Sequence, residues 1–183
     1  PQLFATGELD AITINFPTPQ PKAKYAKKRL VHVDHLMLYR PLFSAGATVT
    51  LRTDSKPLRD YALGQFAAAG YDTLWASDDV RRDHPEHPET EYERRTREMG
   101  AAVYGICATP DALPSDEQLT AGRAQEQSLA CYLPDNLDEL TYVPLGMEEA
   151  VENFKNRARK GKKRLPQESQ GSLMVAASAN KRK

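Results

Sequence analysis

Cysteine and tryptophan are nearly absent: the 183 residues hold two of the first and one of the second. Cys107 and Cys131 show no paired spacing, which argues against a cysteine-built zinc site or a redox dithiol. Two buried thiols in a reducing compartment are the expectation. No apolar run approaches the roughly 20 residues that a bilayer-crossing helix needs, so such a span is excluded. No secretory signal is visible, and the chain opens with Pro1-Gln2-Leu3-Phe4 rather than Met, which leaves room for a natural start upstream.

Net charge is also absent, with 25 Lys+Arg against 25 Asp+Glu. Taken whole, neutrality argues against a nucleic-acid partner. Located along the chain, it is a cancellation. Residues 1–75 carry a net of +3, residues 76–154 a net of −12, and residues 155–183 a net of +9. That asymmetry is the informative quantity. With 27% charged and 40% apolar residues, the chain has enough of each to fold.

What is there predicts an α/β sheet. Residues 10–16 form a short apolar, β-branched run ended by Pro17, which predicts a strand buried on both faces as in a parallel sheet. Residues 18–29 are a loop. Leu36, Tyr39 and Phe43 stand at helical spacing, and Gly46 closes that helix. Residues 47–53 alternate as a second strand. Asp54-Ser55 then offers an N-cap, Pro57 a first turn, and Leu58, Tyr61, Ala62, Phe66 and Ala69 an apolar helix face stopped by Gly70. Residues 71–76 and 101–108 predict two further strands, with right-handed crossovers in the sheet. The polar connection 77–99 is long enough to carry function.

After Thr109 prolines punctuate an acidic stretch. A last helix is predicted over 147–159, with Met147, Ala150, Val151, Phe154 and Ala158 on one face. From Lys160 the chain is basic and then rich in Gln, Ser and Ala, so disorder is expected. Three regions result: 1–109, an acidic and partly helical 110–160, and a basic tail 161–183.

Five constellations can carry chemistry. Lys22, Lys24, Lys27, Lys28 and Arg29 lie together with no acid among them and Tyr25 interleaved. Such a cluster neutralises phosphates, and the aromatic can stack on an unstacked base. It follows the carboxyl end of a strand, where open α/β sheets place their crevice; a solvated lysine loop is the plain alternative. Arg52-Thr-Asp54-Ser55 stands at a second strand end, where Asp54 can accept from a base or cap the next helix. Thr90-Glu91-Tyr92-Glu93 fits a capping box. His84-Pro-Glu-His87 has two histidines, but its prolines disfavour a regular helix and no third ligand is evident, so no metal is expected. His32 and His35 are expected to pack or cap, and Trp75 to join the core. Residues 155–164, dense in Lys and Arg, suit RNA, the chain's own acidic block, or solvent.

In order, these pieces resemble the C-terminal half of the bacterial tRNA (guanine-N7)-methyltransferase family. Its hallmark Asn-Phe-Pro-Asp-Pro-Trp-Pro-Lys is similar to Asn15-Phe-Pro-Thr-Pro-Gln-Pro-Lys22. Its basic segment, its Lys-Thr-Asp, its Thr-x-Tyr/Phe-Glu and its closing Gly-x-x-x-Tyr resemble residues 24–29, 52–54, 90–93 and 100–104. The resemblance covers residues 1 to about 109 and departs at two places that matter: Thr18 stands for the family's Asp and Gln20 for its Trp.

The resemblance implies the C-terminal half of a Rossmann-like class I methyltransferase sheet, followed by an extension with a helix and a basic tail. It implies S-adenosylmethionine as cofactor, met by Asn15 and Thr18, the latter in the catalytic place of a carboxylate. Lys22, Asp54, Thr90, Glu91, Tyr92 and Glu93 would hold the guanosine, and Lys24, Tyr25, Lys27, Lys28 and Arg29 the tRNA. A cytoplasmic enzyme, monomeric or homodimeric, is implied. The Gly-rich cofactor half is missing, so a longer protein or a second chain is expected to complete the sheet. A bare edge on strand 11–16 in a lone chain would count against that half, since natural proteins cover such edges. The competing class is a non-catalytic RNA-binding relative that has lost the cofactor contacts.

Overall fold

The computed structural model describes residues 3–137 and 140–159. β1, Leu9–Asn15, leads into a 3-10 helix at Ala23–Lys28 and then α1, Val33–Tyr39. His32 caps α1: its Nδ1 accepts the Asp34 amide at 3.2 Å, which satisfies one of the amides that a helix start leaves unpaired. The helix ends before the spacing of Leu36, Tyr39 and Phe43 predicts. Pro41 cannot continue it, so Arg40–Leu42 tightens to a 3-10 turn and Phe43 opens β2, Phe43–Thr53. Gly46 lies inside that strand at a β-bulge, where the register to β1 shifts between Leu9 and Ala11.

α2, Lys56–Ala68, is capped by Ser55, whose Oγ accepts the Leu58 amide at 3.3 Å. Its Leu58, Tyr61, Ala62 and Phe66 are buried, as their spacing predicts. Gly70, at φ +70°, turns the chain into β3, Tyr71–Ser77; a Cβ there would lie 2.4 Å from the Ala112 carbonyl oxygen. The long connection carries α3, Val80–Asp83, and α4, Glu91–Glu98. β4 is Tyr104–Pro110, and α5, Asp116–Ala124, follows. A 3-10 helix at Leu129–Tyr132 and α6, Glu148–Arg159, complete the described elements. The side chain of Ala158 and the basic tail expected to be disordered lie outside the described residues.

The sheet order is β1-β2-β4-β3. β1 and β2 are parallel, while β4 runs antiparallel to both its neighbours, so the sheet is mixed. This is the α/β class expected. α2 packs on β2, β3 and β4 and carries α1, α5 and the 129–132 turn. Ile14, Val49, Leu51 and Ile106 share one apolar cluster with Leu58, Phe66, Leu129, Leu133, Met147 and Val151. Leu129, Leu133, Met147 and Val151, from beyond β4, therefore share one core with the sheet.

The expectation that strand 10–16 is buried on both faces fails. In β1 only Ile14 is buried, and Ala11 and Thr13 are exposed. The strand ends the sheet, and among the described residues its outer edge pairs with nothing. This is the outcome expected to count against a missing half; since a half lying outside this chain leaves the same edge bare, the edge does not separate that expectation from its failure.

Candidate functional site

The parallel pairing of β1 with β2 sets Asn15 beside Arg52, so both strands deliver their carboxyl ends to one crevice. The loop leaving β1 is held in an uncommon backbone: Phe16 sits at φ +47° and Gln20 at φ +52°. Each such non-glycine residue costs about 1–2 kcal/mol. The surroundings hold both in place. The Phe16 amide donates to the Arg52 carbonyl at 2.7 Å, and its ring meets Tyr92 at 4.9 Å. The Gln20 carbonyl accepts from Arg29 Nη2 at 2.7 Å. Backbone strain kept this way is a mark of functional loops.

Beneath the crevice lies a buried charge cluster. Arg52 Nε donates to Asn15 Oδ1 at 3.0 Å and its Nη1 to the Pro88 carbonyl at 2.7 Å. Glu93, fully buried, stands 3.4 Å from Arg52 Nη1 and 2.7 Å from Arg81 Nε. These contacts are ionic; neither Glu93 oxygen receives an aligned hydrogen bond. Only half of the predicted capping box forms: Thr90 Oγ1 accepts the Glu93 amide at 3.1 Å, while the Glu93 carboxylate turns to the two arginines. Glu91 is exposed and pairs with Arg94 and Arg95 on its own helix.

Because Ser55 takes the helix cap, Asp54 is released. Its Oδ2 accepts from Tyr142 Oη at 2.9 Å and from Tyr92 Oη at 3.2 Å. Burial pushes the Asp54 carboxyl above the usual carboxylate range, and the tyrosine hydrogen bonds only partly oppose it. Burial, with Asp54 next, pushes both tyrosine hydroxyls up. Lys22 Nζ reaches Glu149 Oε1 at 2.8 Å, a pair that raises the lysine's pKa and lowers the glutamate's. Tyr142 and Glu149 were missed in the sequence, and no local signal places them, since Tyr142 lies 88 residues from Asp54.

The basic loop is part exposed and part structural. Lys24, Lys27 and Lys28 are exposed, and the Tyr25 ring lies between the Lys24 and Lys28 ammonium groups, each 5.0 Å from its centroid. Arg29 does not belong with them. It is 1% exposed, donates to the carbonyls of Pro19, Gln20 and Gln127, and lies 4.4 Å over Tyr61. Buried this deeply, with Nε and Nη2 committed to carbonyls, it is out of reach of a phosphate, which corrects the expectation from sequence.

Asn15 and Thr18 are exposed at the carboxyl end of β1. An amide and a hydroxyl there fit one edge of a cofactor site, and no carboxylate stands at position 18. Trp75 is half-buried rather than core, stacked on His84 with centroids 4.0 Å apart. His84, Glu86 and His87 bring three potential ligand atoms within 4.8 Å of one another, so Glu86 offers the third donor that the sequence reading did not count. Cys107 is buried in β4 and Cys131 only partly buried, both as free thiols. No helix among the described residues is long and apolar enough to cross a membrane.

The chain is similar to the tRNA (guanine-N(7)-)-methyltransferases of Streptococcus equi subsp. zooepidemicus, 31% identical over 107 residues, and Exiguobacterium sibiricum, 33% over 107. That of Brevibacillus brevis is 32% identical over 110 residues. These matches take in 58–59% of the chain and 50–51% of each relative. The chain thus spans about half the length of the curated relatives it matches. A family model described as "Putative methyltransferase" matches residues 1–106, which takes in β1 through the start of β4, and the chain belongs to that methyltransferase family.

Proposed function

We propose that this chain is the RNA-facing half of an S-adenosylmethionine-dependent tRNA (guanine-N7)-methyltransferase of the cytoplasm. One observation carries the reading: a lysine-rich loop and an acceptor carboxylate, Asp54, stand together at the carboxyl ends of two adjacent parallel strands. Guanine N7 already bears a free lone pair, so methylation there calls for positioning and exclusion of water more than for proton transfer. Asp54 accepts hydrogen bonds from the Watson–Crick edge of guanine, and Lys22 meets a phosphate. Lys24, Lys27 and Lys28 neutralise the tRNA backbone, with Tyr25 able to stack on a base. Glu93 acts through Arg52, which holds Asn15 and the loop start. S-adenosylmethionine, when bound, supplies an electrophilic methyl group; Asn15 and Thr18 line one edge of its site. Strands preceding this chain, or those of a second chain, cover β1.

The hydroxyl at position 18 favours a second reading, an RNA-binding relative without turnover. Calorimetric titration of S-adenosylmethionine into a protein carrying this chain together with its cofactor half separates them. Cofactor binding with tRNA methylation supports the enzyme; tRNA binding with neither supports the relative. In the enzyme, Thr18→Asp raises turnover by restoring a negative charge beside the sulfonium.

A further inference from the structure

The extension beyond the family match does more than continue the fold. Leu133 and Met147 are buried in the core, and the described residues 140–146 between them lie against the crevice. Tyr142 donates its hydroxyl to Asp54. Gly146, at φ +89°, turns beside the loop, where a Cβ would lie 3.7 Å from Pro19 and 3.9 Å from Thr18. Glu149, in the first turn of α6, sets a carboxylate on Lys22. Two of these contacts therefore fall on residues read as holding substrate, and the third lies beside Thr18, read as meeting the cofactor. The chemistry is that of the substrate: guanine brings N–H donors to Asp54, and a phosphate brings anionic oxygens to Lys22. Residues 133–154 hold six acidic side chains and no basic one, as a stand-in for a polyanion requires.

We propose that residues 140–149 are a built-in substrate mimic, with Tyr142 in the place of a guanine edge and Glu149 in that of a phosphate. This rests on the site reading given above. Asp54 is 7% exposed with Tyr142 in place, so a base reaches it only when the tyrosine swings away. The Lys22–Glu149 pair is exposed, and such pairs exchange partners at little cost. RNA and the extension therefore compete, and tRNA entry displaces the Tyr142 hydroxyl and the Glu149 carboxylate while Leu133 and Met147 stay buried.

The test is fluorescence anisotropy of labelled tRNA with the full 183-residue chain and two sets of variants. Tyr142→Phe with Glu149→Gln keeps the ring and the side-chain length but removes both mimicking groups. It is expected to tighten tRNA binding roughly three- to tenfold, the size of one hydrogen bond and one surface ion pair. The slope of log K against log salt should also steepen, by no more than about one, because only wild type must break the salt-screened Lys22–Glu149 pair to bind tRNA. A lysine-loop variant, Lys24→Ala with Lys27→Ala and Lys28→Ala, separates the failures. If it weakens binding while the mimic variant changes neither affinity nor slope, the mimic is overturned and the site stands. If binding survives it unchanged, the site reading itself is overturned.

A second cluster rests on independent geometry. The backbone turns at 84–87, with the His87 amide donating to the His84 carbonyl at 3.2 Å, and Trp75 braces the His84 ring. His84 Nδ1 lies 3.4 Å and His87 Nε2 3.9 Å from Glu86 Oε1, the first close to the edge of about 3.3 Å that tetrahedral zinc bonds of about 2.0–2.1 Å require and the second needing His87 to close in. The geometry points to a site for a zinc-like divalent ion that clasps the turn leading to Pro88 and Thr90. Zinc titration followed through Trp75, the only tryptophan, tests it. A saturable change in wild type that His87→Ala abolishes supports the site. No saturable change, or one that survives His87→Ala and Glu86→Gln, overturns it.

Discussion

Asp54 and Glu93 are two buried carboxylates whose environments set opposite expectations. Asp54 has tyrosine hydroxyls and, among the described residues, no ion-pair partner, and its folded pKa lies above the ordinary 3.8. Its protonated form is favoured by folding, so that stabilisation is full below 3.8 and lost as pH rises through the raised value. Asp54→Asn is thus expected to melt at a higher temperature than wild type at pH 7, with the gap closing as pH falls toward 4; thermal scans across that window check it. Glu93 has two arginines. Removing it by Glu93→Ala leaves Arg52 and Arg81 unpaired in the interior, and denaturant unfolding should show a loss of about 3–5 kcal/mol. Position 93 was legible as a helix-start residue from the Thr-x-x-Glu spacing. Its partner Arg81 was not, because pairing across elements leaves no trace in local spacing.

At the scale of elements, the loop after β1 combines rigidity with an unusual backbone. Proline at 17, 19 and 21 fixes much of the path, and Gln20 is left with φ +52° between two of them. Gln20→Gly is expected to be more stable than Gln20→Ala by about 1 kcal/mol, since only the alanine meets the left-handed penalty. Equal stabilities in urea would show that the loop relaxes. The α2 face was readable because Leu58, Tyr61, Ala62 and Phe66 recur at helical spacing, with a cap before them and Gly70 after. The end of α1 was misread since Phe43 continues the period, and Pro41, the residue that breaks it, was given too little weight. α5 carried a visible signal, Ser115 with Gln118 three residues on, but its modest apolar pattern obscured it. The position of β4 between β2 and β3 is a matter of sheet order, which hydrophobic pattern does not encode.

For the whole molecule, zero net charge conceals a division of labour. Basic residues gather on one loop, and the acidic stretch folds back on the crevice beside it through Glu149. If the exposed lysines face RNA, Lys24→Ala with Lys27→Ala and Lys28→Ala should reduce the salt slope of tRNA binding by roughly 2–3. Arg29→Met should lower the melting temperature and leave the slope unchanged, because its donors serve carbonyls inside the fold. The methyl-transfer claim is tested most directly by product. A protein carrying this chain with its cofactor half is incubated with S-adenosylmethionine and tRNA, and the digested tRNA is read for 7-methylguanosine by mass spectrometry. The account predicts that nucleoside from wild type, reduced at least about tenfold by Asp54→Ala through loss of a hydrogen-bonded acceptor for guanine. No 7-methylguanosine from wild type, or an amount undiminished by Asp54→Ala, would contradict it.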